Sequence, residues 1–122
     1  MDDFNQTVQD DIVVEKVNLT RATMNEAILF RSILQKDIEK KFKKVVIDIS
    51  QCEFVDSTFL GAMIFARRGM DEIGGQLRVV QPTEPFKAFL ERTMVFEIFN
   101  PHNSLGEAIN SFNWCKNCVY LY

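Results

Sequence analysis

The sequence is poor in the side chains on which most catalytic and metal sites depend. Histidine occurs once, as His102, which follows a proline in a predicted loop, far in sequence from any candidate nucleophile. The three cysteines are Cys52 and an isolated C-x-x-C pair, Cys115 and Cys118. With His102 this pair gives three ligands, whereas a structural zinc site takes four. No phosphate-cradling glycine motif is present. We therefore expect reduced cysteines, no metal, no cofactor and no enzymatic activity.

Basic residues and long apolar runs are also scarce. Lysine and arginine together number 14 against 17 aspartates and glutamates, which gives a net charge of −3, whereas a nucleic-acid-binding surface usually shows a basic stripe. No apolar run approaches the roughly 20 residues that a membrane span needs. The first residues, Met1–Phe4, are acidic and lack an apolar signal region. These absences predict a cytoplasmic protein that binds neither nucleic acid nor membrane.

The remaining composition is that of one globular domain. The 122 residues are 47% hydrophobic and 25% charged, which is typical of soluble folded proteins and allows a sizeable core. Strand and helix patterns alternate through the middle of the chain, and this alternation favours parallel strands joined by crossover helices. We predict a single α/β domain over residues 1–122.

The N-terminal part predicts two strands, a helix and a third strand. Two β-branched runs within Phe4–Val17 flank a turn signal at Gln9–Asp11. A capping box at Thr23 opens a helix that we expect to run to about Lys40. The run Val45–Ser50 is the clearest strand, because it is short, β-branched and almost continuously apolar.

Helical spacing assigns a buried face to the first predicted helix. The residues on this stripe are Met24, Ala27, Phe30, Leu34 and Ile38. Leu29 and Ile33 lie off the stripe, and we expect them to form a second buried flank; an exposed contact patch is the alternative.

The C-terminal half predicts further alternation after a second helix, Ser57–Ile73, that ends at a Gly-Gly pair. The face of this helix comprises Phe59, Leu60, Met63, Ala66, Met70 and Ile73. The next elements are the strand Gln76–Val80 and a short helix that is capped by Thr83 and buries Phe86, Phe89 and Leu90. A strand, Val95–Phe99, follows. The last helix is opened by Ser104 and Glu107, and its buried face comprises Leu105, Ala108, Ile109 and Phe112. The tail from Trp114 to Tyr122 is aromatic and β-branched, which fits either pairing with a sheet edge or a dimer contact.

The most informative stretch is Phe54–Gly61, which separates the strand Val45–Ser50 from the second helix. Asp56, Ser57 and Thr58 stand in a row there. Acid and hydroxyl side chains are favoured at a helix start, because they accept hydrogen bonds from its free N–H groups. A hydroxyl at that position is also a good place for a phosphate, since the helix dipole favours negative charge there.

The segment from Val45 to Gly75 resembles the STAS domain family of bacterial anti-sigma factor antagonists. That family has a strand ending in Asp-Leu-Ser, then Asp-Ser-Ser/Thr-Gly-Leu-Gly, a helix, Gly-Gly and a strand. Here these pieces read Asp48-Ile49-Ser50, Asp56-Ser57-Thr58-Phe59-Leu60-Gly61, Gly74-Gly75 and Gln76 to Val80. The resemblance covers about residues 12–112 and leaves 113–122 as a C-terminal extension. It implies a mixed sheet of four or five strands with about four helices packed mainly on one face.

The resemblance also implies a function. Antagonists of this family bind an anti-sigma factor that is a serine/threonine kinase, and this binding frees the sigma factor. The kinase then phosphorylates and releases the antagonist, and a PP2C-type phosphatase restores it. The family's phosphoacceptor matches Thr58, with Ser57 as second choice, and the implied partner-binding residues are Asp56, Ser57, Phe59, Leu60 and Gly61.

Two positions depart from the family pattern. Phe59 stands where a glycine usually follows the acceptor, so it lies either in the partner interface or in the core. Leu19-Thr20 stands where many members have Leu-Asp, which indicates a different partner. The alternative function is a scaffold subunit of a sensor complex or transport system, in which Asp56, Ser57 and Thr58 only cap a helix. Retention of both hydroxyls favours the phosphorylation switch; a homodimer stays open.

Overall fold

A computed structural model describes the backbone of residues 2–119, and the side chains of these except 95, 96 and 113–119. The described residues form six strands and five helices. In chain order they are β1 (Phe4–Gln9), β2 (Ile12–Val17), β3 (Arg21–Ala22), α1 (Met24–Glu39), β4 (Lys44–Asp48), β5 (Phe54–Val55), α2 (Ser57–Glu72), β6 (Gln76–Val80), α3 (Phe86–Leu90), α4 (Met94–Phe99) and α5 (Leu105–Val119).

A mixed four-stranded sheet with the order β1-β2-β4-β6 forms the centre of the domain. The hairpin β1–β2 is antiparallel, and β2, β4 and β6 are parallel neighbours. The crossovers between the parallel strands contain α1 and α2, as the alternation in the sequence predicts. The short strands β3 and β5 form a separate parallel pair. The predicted α/β class and mixed sheet are confirmed.

The main core lies between the sheet and the two crossover helices. Alternate residues of the sheet point into it, among them Val13, Val45, Ile47 and Val79. On the helices, Phe30 of α1 and Phe59 of α2 are both 0% exposed, and their rings stack at 4.7 Å between centroids. Phe4 of the edge strand stacks on the other side of Phe30 at 5.1 Å. One aromatic stack therefore joins β1, α1 and α2.

The opposite face of the sheet is covered by α5. Ile12, Val14, Val46 and Val80 pack there against Ala108 and Phe112 of that helix. The guanidinium of Arg78 lies 4.7 Å from the centre of the Phe112 ring, and its Nε donates to Ser111 Oγ at 2.7 Å. Ser104 Oγ accepts from the Glu107 N–H at 3.1 Å, which confirms the predicted start of this helix.

The predicted bounds of the first two helices are confirmed. Thr23 and Glu26 form the predicted capping box of α1, and Lys40 is its C-terminal cap. The second helix ends at Glu72 with Ile73 as its C-terminal cap, and Gly74 follows with a positive φ of 73°. Only glycine adopts this conformation without a steric penalty, so the chain can turn from α2 into β6.

Two assignments of secondary structure between β6 and α5 are wrong. Val95–Phe99 is part of the helix α4 and not a strand. A short apolar run is compatible with either a strand or a helix. The outer edge of β6 is instead bridged by His102, whose N–H donates to Val79 O at 2.8 Å. Thr83 does not cap α3; Pro85 is the N-cap, and Thr83 Oγ1 donates to Cys52 O at 3.0 Å.

Several predicted core side chains are exposed. Met24, Leu29 and Phe89 are 63%, 57% and 59% exposed, because only the inward faces of α1 and α3 pack on the core. Ile33 is half-buried, as is Ile38, whereas Ala27, Phe30 and Leu34 are buried as predicted.

Of the two roles predicted for the C-terminal tail, pairing with a sheet edge is contradicted by its structure. Its backbone is helical through Val119, as part of α5, so pairing with a sheet edge is wrong for this part. Residues 120–122 and the side chains of Cys115 and Cys118 lie outside the described residues. The alternative of a dimer contact stays a prediction.

We expect Phe30→Ala to lower the free energy of unfolding by about 3–5 kcal/mol, since it removes the centre of the aromatic stack and leaves a cavity. Ile28→Ala, a neighbouring change at a side chain that is 81% exposed, should stay within about 0.5 kcal/mol of the unchanged protein. Urea unfolding followed by circular dichroism measures both. Equal losses in the two variants would contradict the placement of Phe30 at the centre of the core.

Candidate functional site

The carboxylate of Asp56 joins the N-termini of the two crossover helices. Its Oδ1 accepts from the N–H of Phe59, in the first turn of α2, at 2.9 Å. Its Oδ2 accepts from the N–H of Met24, the first residue of α1, at 2.8 Å. Both bonds are charge-assisted, and a negative charge is favoured at the positive end of each helix dipole. One side chain therefore brings two helix starts together.

The short strand pair places Asp56 at this junction. Strand β3 pairs with β5 through Arg21 with Phe54 and Ala22 with Val55. Directly after β5, the N–H of Asp56 donates to Ala22 O at 2.9 Å. Because β3 leads into α1 and β5 leads into α2, the pairing aligns both helix starts.

Ser57 and Thr58 are exposed in the first turn of α2. The side chain that caps the helix is that of Asp56, so neither hydroxyl is needed for this purpose. The free N–H groups of a first helical turn point toward this end of the helix and favour an anion nearby. The two hydroxyl groups are therefore accessible in a setting that tolerates a phosphate.

Phe59 lies in the core. Its ring is 0% exposed and stacks on Phe30, because the third residue of α2 faces the sheet. This corrects the assignment of Phe59 to the partner-binding surface, and it decides between the two alternatives left by the sequence. Leu60 is half-buried. Gly61 is exposed, and a Cβ at this position would meet none of the described atoms within 4 Å.

A groove of about 500 Å³ runs between α1 and α2, starting beside Thr58. Its lining includes the exposed side chains of Ile28 and Phe65, which are 81% and 40% exposed. Both charged residues in the lining are arginines, Arg31 and Arg68, and the Arg31 guanidinium lies 3.9 Å from the centre of the Phe65 ring. The groove therefore presents an apolar floor with positive charge.

Sequence reasoning missed this groove, because it assigned no role to Ile28, which lies off the predicted buried stripe of α1. The available signal was Ile28, an apolar residue of α1 that lies off this stripe and lines the groove. The alternative prediction, an exposed contact patch at Leu29 and Ile33, fits the exposure of Leu29, but neither residue lines the groove. Periodicity alone does not show which of two apolar flanks faces the second helix.

Among the described side chains, Cys52 and His102 do not line the groove beside Thr58. Burial raises the pKa of the Cys52 thiol to about 12, with a further contribution from the Asp48 carboxylate, so this thiol stays protonated and unreactive at neutral pH. His102 lies in a separate cleft with Arg78 and Glu107. Burial, with the nearby Arg78, lowers the pKa of this histidine.

The described part of the chain forms neither a metal-ion cluster nor a membrane-spanning helix. No three of its His, Cys, Asp or Glu side chains are grouped closely enough to hold a metal ion. Among the helices of residues 2–119, none combines the length and apolar character that a membrane crossing requires.

The sequence model of the STAS domain family matches residues 7–108. The chain belongs to the STAS domain family. A protein of Thermotoga maritima named "Putative anti-sigma factor antagonist" is 23% identical over 106 residues, which cover 87% of this chain and 94% of that protein.

Two solved structures have a similar fold. The crystal structure of an anti-sigma factor antagonist from Mycobacterium paratuberculosis has a TM-score of 0.78 at 18% identity, covering 88% of this chain and 91% of that chain. The Bacillus cell fate determinant SpoIIAA in its phosphorylated form has a TM-score of 0.69 at 14% identity, covering 89% and 98%. At these identities the likeness establishes the architecture of the STAS domain alone.

We expect Asp56→Ala to lower the free energy of unfolding by about 2–4 kcal/mol. The helix cap that it removes contributes about 1 kcal/mol. The hydrogen bond from the Met24 N–H to a charged acceptor contributes a further ~1.5–3 kcal/mol, which is about twice the contribution of a neutral bond. Ser57→Ala, one residue away and exposed, should change it by less than about 0.5 kcal/mol. Urea unfolding measures both. A loss below about 1 kcal/mol in Asp56→Ala would contradict the double cap.

Proposed function

We propose that this STAS domain is an anti-sigma factor antagonist, without enzymatic activity, that is switched by phosphorylation of Thr58. Unphosphorylated, it binds and sequesters an anti-sigma factor of the serine/threonine kinase type. The observation that supports this most directly is the exposed Thr58 hydroxyl at the junction of two helix starts, beside an open groove. The names of the relatives point to the same class of protein.

The fold tolerates a phosphate on Thr58. The side chain is exposed, so the group adds no burial cost, and the first turn of α2 favours negative charge. The Asp56 carboxylate already accepts from Phe59 and Met24, and its charge repels a phosphate from that position. A phosphate is therefore kept away from this carboxylate, and the double cap stays in place.

The proposed docking surface comprises Asp56, Ser57, Thr58, Leu60 and Gly61 together with the adjoining groove. Gly61 leaves the surface beside Thr58 open, so a partner can approach the acceptor closely. The exposed Ile28 and Phe65 supply apolar area for the same contact. Phe59 contributes through the core, by fixing the first turn of α2.

A phosphate at the centre of this surface disfavours the bound state. It adds a charge of roughly −1.5 to −2, which an occupied interface would have to desolvate. Each 1.4 kcal/mol of lost binding free energy weakens affinity about tenfold, so a few kcal/mol suffice for release. A PP2C-type phosphatase would restore the binding form, and both steps would take place in the cytoplasm.

We expect phosphate on Thr58 when the protein is incubated with ATP and a kinase-type anti-sigma factor of its own host, because Thr58 is the exposed hydroxyl beside the groove. Mass spectrometry should locate the phosphate, and Thr58→Ala should abolish it while Ser57→Ala retains it. Phosphate on Ser57 alone would correct the residue. No phosphate with any such kinase of the host would contradict the switch and leave a scaffold role.

We expect Ile28→Asp to weaken binding to the same kinase at least tenfold, because it places a carboxylate in the apolar part of the docking surface. Val8→Asp is the matched control, since Val8 is an exposed apolar residue, 51% accessible, on the edge strand β1. Calorimetric titration of the unphosphorylated proteins measures both affinities. An equal effect of the two changes would show that the groove is not part of the docking surface.

A further inference from the structure

Two carboxyl groups that the proposed switch does not use are buried between the sheet and α1. Glu15 of β2 is 1% exposed and Asp37 of α1 is 2% exposed. Burying an ionised carboxylate is costly unless it is paired with a cation or fully hydrogen-bonded. The contacts of these two side chains therefore determine how much charge they hold.

Glu15 and Asp37 share one amide donor. Gln6 pairs with Glu15 in the register of the β1–β2 hairpin. Its Nε2 donates to Glu15 Oε2 at 2.7 Å and to Asp37 Oδ1 at 3.0 Å. An amide nitrogen has two N–H donors, so both are used by these bonds. Among the described residues, the second oxygens, Glu15 Oε1 and Asp37 Oδ2, have no hydrogen-bond partner.

Positive charge near the pair does not replace the missing donor. Lys36 and Lys40 of α1 line the small cavity beside Glu15 and Asp37. Both lysines are exposed, and in the described part of the chain neither forms an ion pair with these carboxyl groups. Two full negative charges would thus lie together in the interior, where like charges strongly oppose each other.

We propose that Glu15 and Asp37 share one proton at neutral pH, and that this proton latches the C-terminal half of α1 onto the β1–β2 hairpin. The proton is bound to Glu15 Oε1 and donated to Asp37 Oδ2. Both unpartnered oxygens are then satisfied, and the pair holds a single negative charge that accepts from Gln6. Burial, with the neighbouring Asp37, raises the pKa of Glu15 to about 9, which agrees with this arrangement.

The latch makes the stability of the domain depend on pH. In the unfolded chain Glu15 releases its proton near its ordinary pKa of 4.5, whereas the folded state keeps it up to about 9. Between these values the folded state binds one proton more than the unfolded state. The stabilisation is therefore fully present below about pH 4.5, and the folding equilibrium constant falls by up to about tenfold per pH unit until about pH 9.

Glu15→Gln tests the latch, because its amide has the shape of the protonated acid and donates to Asp37 at every pH. Urea unfolding at pH 6 and pH 8 gives the ratio of the folding equilibrium constants of variant and unchanged protein. We expect this ratio to rise up to about 100-fold between the two pH values. The matched control, Glu72→Gln at an exposed residue of α2, should show a constant ratio.

A ratio for Glu15→Gln as constant as that of the control would overturn the proposal. So would a stabilisation of the unchanged protein at pH 8 by Mg²⁺ or Ca²⁺ that Glu15→Gln lacks, because the pair would then hold a cation in place of the proton. If that variant fails to fold, infrared spectroscopy of the unchanged protein decides: a protonated-carboxyl C=O band at pH 7 supports the shared proton, and its absence refutes it.

Discussion

The double hydrogen bond of Asp56 is the interaction on which the arrangement of the proposed site depends. Helices α1 and α2 lie in different crossovers and are separated in sequence by β4 and β5. The carboxylate accepts from the first N–H of one helix and from the first turn of the other. It compensates the positive ends of both helix dipoles with one charge. The groove between the helices and the exposed Thr58 follow from this alignment.

A second carboxyl contact holds the other half of α1. The helix begins at the Asp56 carboxylate and, about three and a half turns later, places Asp37 against Glu15 and Gln6. The first contact is formed by an ionised group close to the surface, whereas the second is buried and satisfied by a shared proton. Because both contacts position α1, the groove that the helix lines depends on the electrostatics at its two ends.

Phe59 shows how core and surface are divided within a few residues of α2. Ser57 and Thr58 are exposed, and the next side chain is wholly buried against Phe30. A glycine at this position would remove that ring and leave the first turn held by the Asp56 cap and by Leu60, which packs partly against the core. The aromatic ring instead anchors that turn in the core, so Ser57 and Thr58 are displayed on a helix rather than on a loop.

The sequence by itself determined the local structure and the class of fold. The capping box at Thr23, the acid at Asp56 and the glycine pair after α2 act over a few residues, so their effects can be read from the chain. Sustained periodicity likewise identified α1, α2 and the parallel strands. The short apolar run Val95–Phe99 was misassigned, since its pattern fits a strand or a helix equally well.

Only the tertiary structure decided which contacts join distant residues. Nothing in the sequence indicates that the second oxygen of Asp56 accepts from Met24, 32 residues away. Nor does it indicate that Glu15 of β2 contacts Asp37 of α1 between the sheet and that helix. The burial of Phe59 and the exposure of Ile28 depend on how two helices pack, and helical spacing is compatible with either outcome. Local patterns specify helix starts and strands, whereas sites formed between elements depend on geometry that local patterns do not encode.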